Sequence, residues 1–259
     1  MSLLNLVPVR ALMQRGIFIL AVSAALLISH AAGATEAEEI QIKPIRFGVT
    51  DFIPRAYTEN GVLKGSTLLR ARELAAEAGL TTVELLMPIS RLYHEAKLGE
   101  GTLDAWVSID IPSLTKLGVL VKPSVFEPLR LHLFSLNSSV PSSIDDLEVD
   151  AVITLLGFRF SGWVDRLKSK RPDMQVLTVP NHISAWRTLK AQRAPYFLAY
   201  KSPSLFYAEQ LGLTDFRSIE LAVTPLYFFI SRNNPNAELI AKRYSEAAKR
   251  ILAREVLEK

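Results

Sequence analysis

Residues 45–65 read IRFGVTDFIPRAYTENGVLKG. Ile45, Phe47 and Val49 alternate with Arg46 and Gly48, the period of two that marks a strand. A polar loop follows, holding Asp51, Pro54, Arg55 and Tyr57. Glu59-Asn60-Gly61 predicts a turn, and Val62 and Leu63 lead on to Gly65. An acid, a base and an aromatic therefore stand where the first strand ends. In open α/β sheets ligands bind outside the carboxyl ends of strands, so this loop is the first candidate binding element.

Working outward, strand and helix signals alternate. Gly65-Ser66-Thr67 opens a helix with Leu68, Ala71, Ala75 and Ala78 on one face, and Gly79 suits its end. TTVELLM (81–87) reads as a strand, Ser90 as the cap of a helix reaching Leu98, and TLDAWVSI (102–109) as the next strand. This β-α-β-α-β order implies a parallel sheet covered by helices. After Glu127-Pro128 comes a long alternating strand, LRLHLFSL (129–136), and then the loop NSSVPSSIDDL (137–147). A second set follows: VDAVITLL, a helix capped by Ser161, MQVLTV, a helix with Ile183, Trp186 and Leu189 on one face, PYFLAY, and a helix from Ser202-Pro203 to Gly212. IELAVTPLYFFISR (219–232) is long and apolar, and a last helix shows Ile240, Tyr244, Ala247 and Ile251 on one face. Two α/β units joined by two extended segments, 128–136 and 219–231, predict two lobes with a cleft between them.

The first 34 residues stand apart. Arg10 and Arg15 precede the apolar run GIFILAVSAALLI, and Ala32-Gly33-Ala34 follows. This is the form of a secretory signal peptide, with cleavage expected after Ala34; the alternative is an uncleaved membrane anchor. Two of the 30 cations and none of the 26 acids lie in that segment, leaving 28 against 26, a net charge of about +2. No basic stripe suggests nucleic acid. There is no cysteine, which excludes disulfides, thiolate metal sites and a cysteine nucleophile. His94, His132 and His182 lack metal-ligand spacing, and no G-x-S-x-G elbow or glycine-rich phosphate loop occurs. Neither a metal nor a cofactor is expected.

Taken in order, these segments resemble the bacterial family 3 extracellular solute-binding proteins, periplasmic receptors that feed polar amino acids and related solutes to ABC importers. The similarity covers nearly all of 42–255 and rests on four segments. IRFGVTDFIPRAYTENGVLKG looks like the family's opening strand, aromatic-proline loop and turn. RLYHEAKLGEGTLDAWVSI looks like the helix that ends at a glycine before a strand beginning Asp-Ala. SSIDDLEVDAVITLLG is similar to the opening of the second lobe, and LKAQRAPYFLAY to its later helix-to-strand junction. The resemblance implies an α/β, bilobal periplasmic binding protein type II architecture, two lobes joined by two hinge strands. Its parts would be a signal peptide 1–34, lobe 1 from 35–127 plus 225–259, and lobe 2 from 128–224.

The ligand anchors depart from that family. Its Thr-x-x-Arg, whose arginine clamps a ligand carboxylate with a bidentate fork, falls without gaps on Ser113-Leu114-Thr115-Lys116. Lysine keeps the charge and loses the fork. The acid that holds an α-amino group falls on Tyr200, followed by Lys201. The Gly-Thr/Ser-Thr loop reads Gly157-Phe158-Arg159, and the acid pair after the opening glycine reads Thr67 and Leu69. The candidate ligand residues are Asp51, Arg55, Tyr57, Arg91, Asp110, Lys116, Phe158, Arg159 and Tyr200, a cationic and aromatic set. Each of Arg55, Lys116 and Arg159 could equally be a solvated surface cation, Tyr57 a lid on the core, and Trp106, Trp163 and Trp186 core residues.

The resemblance implies a monomeric periplasmic protein that captures a small polar or anionic solute for an ABC permease in the inner membrane. It would not be an enzyme. Two other functions stay open: a sensor lobe coupled to a signalling protein, and a dehydratase-like enzyme using Asp51 or Asp110 as its base.

Overall fold

Among the described residues twelve strands form two five-stranded sheets and a hairpin, and each sheet is covered by helices. The computed structural model describes residues 42–98, 102–136 and 150–258. The expected signal segment 1–34 and the loop 137–147 lie outside the described residues.

The first sheet has the order β4-β1-β5-β12-β6. β1 (Ile45–Thr50) pairs in parallel with β4 (Thr82–Met87) and β5 (Ala105–Ile109). β12 (Leu226–Ser231) runs antiparallel to β5 and to β6 (Gly118–Leu120). The hairpin of β2 (Tyr57–Glu59) and β3 (Val62–Lys64) turns at Asn60-Gly61, both at positive φ, as its residues predict. One face of the sheet is covered by α1 (Ser66–Glu77) and α7 (Ala237–Leu257). Ile240, Tyr244, Ala247 and Ile251 of α7 are buried, in line with their helical spacing. Burying Ile240 and Ile251 contributes on the order of 1.5–3 kcal/mol each. The other face carries α2 (Ile89–Leu98) and α3 (Pro112–Thr115), around Leu92, Leu114 and Trp106, whose ring stacks on Phe229 at 5.6 Å. Helix α2 already includes Ser90, so this serine does not cap it.

The second sheet has the order β11-β7-β10-β8-β9. β8 (Ala151–Leu155) is buried along its whole length, as expected of a parallel strand covered on both faces. It lies between β9 (Gln175–Val179) and β10 (Tyr196–Tyr200). β7 (Leu129–Ser135) and β11 (Arg217–Thr224) complete the antiparallel side. Helices α4 (Trp163–Lys170), α5 (His182–Lys190) and α6 (Lys201–Gln210) pack around it. Trp186 is fully buried against Phe134, Phe197 and Phe216.

Both sheets belong to one compact unit, Ile42–Lys259. The chain crosses between them twice, and the crossings are shorter than the extended segments suggest. β7 lies wholly in the second sheet, so the first crossing is the stretch 121–128 before it. The run 219–231 breaks at Pro225, which places β11 in one sheet and β12 in the other. Proline has no N–H for a ladder, so it suits the point where a strand leaves its sheet. The Ser124 hydroxyl donates to the Leu226 carbonyl and so ties the two crossings together.

Candidate functional site

The carboxyl ends of β1, β5, β8 and β10 converge on a cavity of about 580 Å³ with walls from both lobes. Small-molecule sites commonly enclose roughly 300–1,000 Å³. The first lobe supplies Thr50 at the end of β1, Phe52 and Arg55 after it, and Ser108 from β5. Ser90, Tyr93 and Lys97 of α2 also line it, at the i, i+3, i+7 spacing of one helical face. The second lobe supplies all of 157–162 and Tyr200.

The loop after β1 is held by its own backbone. Phe52 N–H donates to Ala56 O at 2.8 Å, and Arg55 N–H to Phe52 O at 2.8 Å. Thr67 N–H then donates to Arg55 O at 2.9 Å, fastening the start of α1 to the loop. Gly65 permits this approach. It sits at φ +124°, and a Cβ there would lie 2.1 Å from Arg55 O.

Aromatic rings join the lobes. Phe52 meets Phe158 at 6.0 Å and Tyr200 at 5.9 Å across the cleft. Phe160 packs on Phe158 at 5.7 Å and on Tyr200 at 5.4 Å. Gly157, Phe160, Ser161 and Gly162 all have positive φ, a conformation that costs non-glycine residues on the order of 1 kcal/mol each. The packing of the Phe160 ring helps hold this backbone. Ser161 is thereby drawn out of the capping position expected of it. Gly162 precedes α4 with no side-chain cap, and Ser161 stands close enough to the Tyr200 phenol to lower its pKa slightly.

The charged residues of the wall are Arg55, Lys97 and Arg159; among the described residues no carboxylate lines the cavity. Lys97 and Arg159 are exposed and make no ion pair or side-chain hydrogen bond among the described residues. Arg55 is only 4% exposed. Its Nη1 donates to Glu127 O at 2.8 Å and its Nη2 to Pro128 O at 2.7 Å, both in the first crossing. Its Nε is buried and has no hydrogen-bond partner among the described residues. Burial pulls the guanidinium below its ordinary pKa, opposed by the nearby Glu127 carboxylate. Burial pushes the Tyr200 phenol up to about 12, with a smaller push from Tyr93, so it stays neutral. Tyr93 is raised by burial too, with a smaller opposing effect of the nearby Ser108.

Of the nine residues singled out in the sequence, four line this cavity: Arg55, Phe158, Arg159 and Tyr200. The other five lie outside its walls. Asp51 follows β1 and is exposed as a residue; partial burial of its carboxyl raises its pKa, and its charge raises the Tyr207 phenol of α6 on the second lobe, so it stands at the rim of the cleft, outside the walls. Tyr57 sits in the hairpin opposite Lys64. Arg91 is on α2, 3.5 Å from Glu95 one turn along. Asp110 is exposed and accepts a hydrogen bond from the Thr115 hydroxyl. Lys116 is exposed beyond the end of α3, and Ser113 lines the cavity in its place. Asp104, the acid of the Asp-Ala segment, has a structural role: its carboxylate accepts from the Arg46 backbone N–H and Nε, each at 3.0 Å. Sequence reasoning missed Phe52, Tyr93, Lys97 and Ser108. The i, i+3, i+7 stripe of Ser90, Tyr93 and Lys97 was the one signal for the α2 residues, and by itself it does not say what that face meets.

Among the described residues no cluster of three or more His, Asp or Glu could hold a metal, and no helix is long and apolar enough to cross a membrane.

No protein-family model matches the sequence, and no curated protein matches it. Solved structures do match the fold. One is a histidine kinase sensor domain with similarity to periplasmic binding proteins: TM-score 0.65, 19% identity, covering 83% of this chain and 93% of that one. A second comes from work on glutathione import in Gram-positive bacteria through GshT and the cystine ABC importer TcyBC of Streptococcus mutans. It has a TM-score of 0.67 at 13% identity, covering 84% and 92%. A third is an ancestral amino acid-binding protein, a precursor of cyclohexadienyl dehydratase: TM-score 0.62, 17% identity, covering 81% and 90%. At these identities the likeness is one of fold, and the fold is the bilobal α/β architecture of periplasmic binding proteins.

Proposed function

We propose that the protein is an exported, periplasmic solute-binding protein that captures a small polar or anionic solute between its lobes. The observation that carries this reading is the cavity itself, walled by both lobes at the carboxyl ends of their strands. The lobes are 35–127 plus 225–259 and 128–224, and they close by hinge motion at 121–128 and 224–226. Ser124, bonded across both crossings, keeps the two hinge points together. The partner of the closed form is an ABC permease. A sensor role keeps specific support from the sensor-domain neighbour, which is matched as well as the import protein. Binding is preferred to a dehydratase-like reaction because Asp51 and Asp110, the acids that could act as a base, stand outside the cavity walls.

A thermal-shift screen against a broad metabolite library tests the reading. A ligand at 100 times its Kd adds about 2.7 kcal/mol of stability. For a folded chain of this size that is a rise of about 5–11 °C in Tm. The same ligand should shrink the radius of gyration in solution scattering. A library that raises no Tm and changes no dimension would refute solute capture.

A further inference from the structure

We infer that the solute is a carboxylate with an apolar, aromatic-sized body and no ammonium group. This rests on the solute-binding reading and narrows it. The charges on the wall all have one sign: Arg55, Lys97 and Arg159 face the cavity, with no carboxylate among the described residues that line it. A zwitterion closed into this space would leave its ammonium without an anionic partner, a burial that costs several kcal/mol. Tyr200 cannot take that part, because its buried phenol stays neutral.

The cations divide the task. Lys97 and Arg159 come from opposite lobes, so an anion between them draws the lobes together. Arg55 lies deeper. Both its terminal nitrogens are committed to the crossing, so it adds positive charge to the wall and leaves the direct ligand contacts to Lys97 and Arg159. The rest of the ligand meets rings: Phe52, Phe158 and Phe160 supply apolar faces. An inorganic anion would leave those faces against water, whereas a ring or branched chain of the size the cavity admits would cover them.

Calorimetry on the mature protein, at one salt concentration, uses four probes: 3-phenylpropionate, phenylalanine (the same skeleton with an α-ammonium), the neutral 3-phenylpropionamide, and sulfate. A panel of aromatic and branched aliphatic monocarboxylates is measured alongside. The expected result is at least one carboxylate bound, with 3-phenylpropionate at least tenfold tighter than phenylalanine, the amide and sulfate. Lys97→Gln with Arg159→Gln should weaken it at least tenfold. Both sites are exposed, so the variant should fold, which its unfolding midpoint checks. Lys116→Gln, outside the cavity, should leave the affinity unchanged. Phenylalanine, the amide or sulfate binding as tightly as the acid would overturn the inference. So would a panel with no bound carboxylate when the broad library yields a cationic or neutral cleft ligand, and in that case solute capture would still stand. If nothing in either set binds, both readings fall.

Discussion

Replacing Arg55 tests the link between the binding loop and the interlobe crossing. Its side chain is almost fully buried and donates to two backbone carbonyls, Glu127 O at 2.8 Å and Pro128 O at 2.7 Å. Hydrogen bonds from a charged donor contribute about 1.5–3 kcal/mol each. Arg55→Ala should therefore lower stability by about 3–6 kcal/mol, while Arg55→Lys, which can reach one carbonyl but not fork to both, should lose about half as much. The Glu127 carboxylate, 3.4 Å from Nη2, is 68% exposed, so Glu127→Gln should cost under about 1 kcal/mol and serves as the control. Urea unfolding is the assay, with the midpoint falling at constant slope. Thermal melts should fall by about 6–24 °C for Arg55→Ala. A loss below about 1 kcal/mol in Arg55→Ala, or a lysine variant as stable as the parent, would refute the assignment of this arginine as a clamp on the crossing.

Other expectations follow from local geometry. Gly65→Ala places a methyl 2.1 Å from a backbone oxygen at φ +124°, while Gly61→Ala meets open space at φ +76°. The first should be destabilised by at least about 2 kcal/mol more than the second, whose cost is about 1 kcal/mol; equal urea midpoints would contradict the close approach. His182 is 8% exposed, stacks on Tyr207 at 5.2 Å, and is lowered by burial to about 4. The unfolded chain thus binds this proton first, so stability falls as pH drops from about 6.5 to about 4, by up to about 3 kcal/mol. His182→Phe should remove that part of the pH slope, and an unchanged slope would count against it. Phe52→Ala removes the ring that meets Phe158 and Tyr200 across the cleft. It should weaken affinity about tenfold with little change in unfolding midpoint, as calorimetry and urea titration would show; full affinity in the variant would mean that the cross-lobe rings do not support closure.

The fold was legible because burial writes itself into spacing. Alternation in 45–50, the apolar run of 151–155 and the 3.6-residue stripe of 237–257 each match the face that the sheets and helices cover. The crossings were harder to place, since an extended run looks the same whether it stays in one sheet or changes at Pro225. The site was less legible still. A residue-by-residue alignment with the family's arginine puts a charge at Lys116, but α3 ends before it and leaves it in solvent. Arg55 was singled out for its charge and its place on a loop, yet two of its three nitrogens serve the crossing, a role that only the juxtaposition of residues 72 positions apart reveals. Lys97 and Tyr93 drew no attention, because a helix stripe has no sign until its neighbours are known. What decides the character of this cleft is which charges are absent from its wall, a property of the closed surface and of no single motif. The loss of an acid at Tyr200 is visible in the sequence. That no other acid among the described residues lines the wall, with Asp51 and Asp110 both outside it, becomes visible only when both lobes are placed around one cavity.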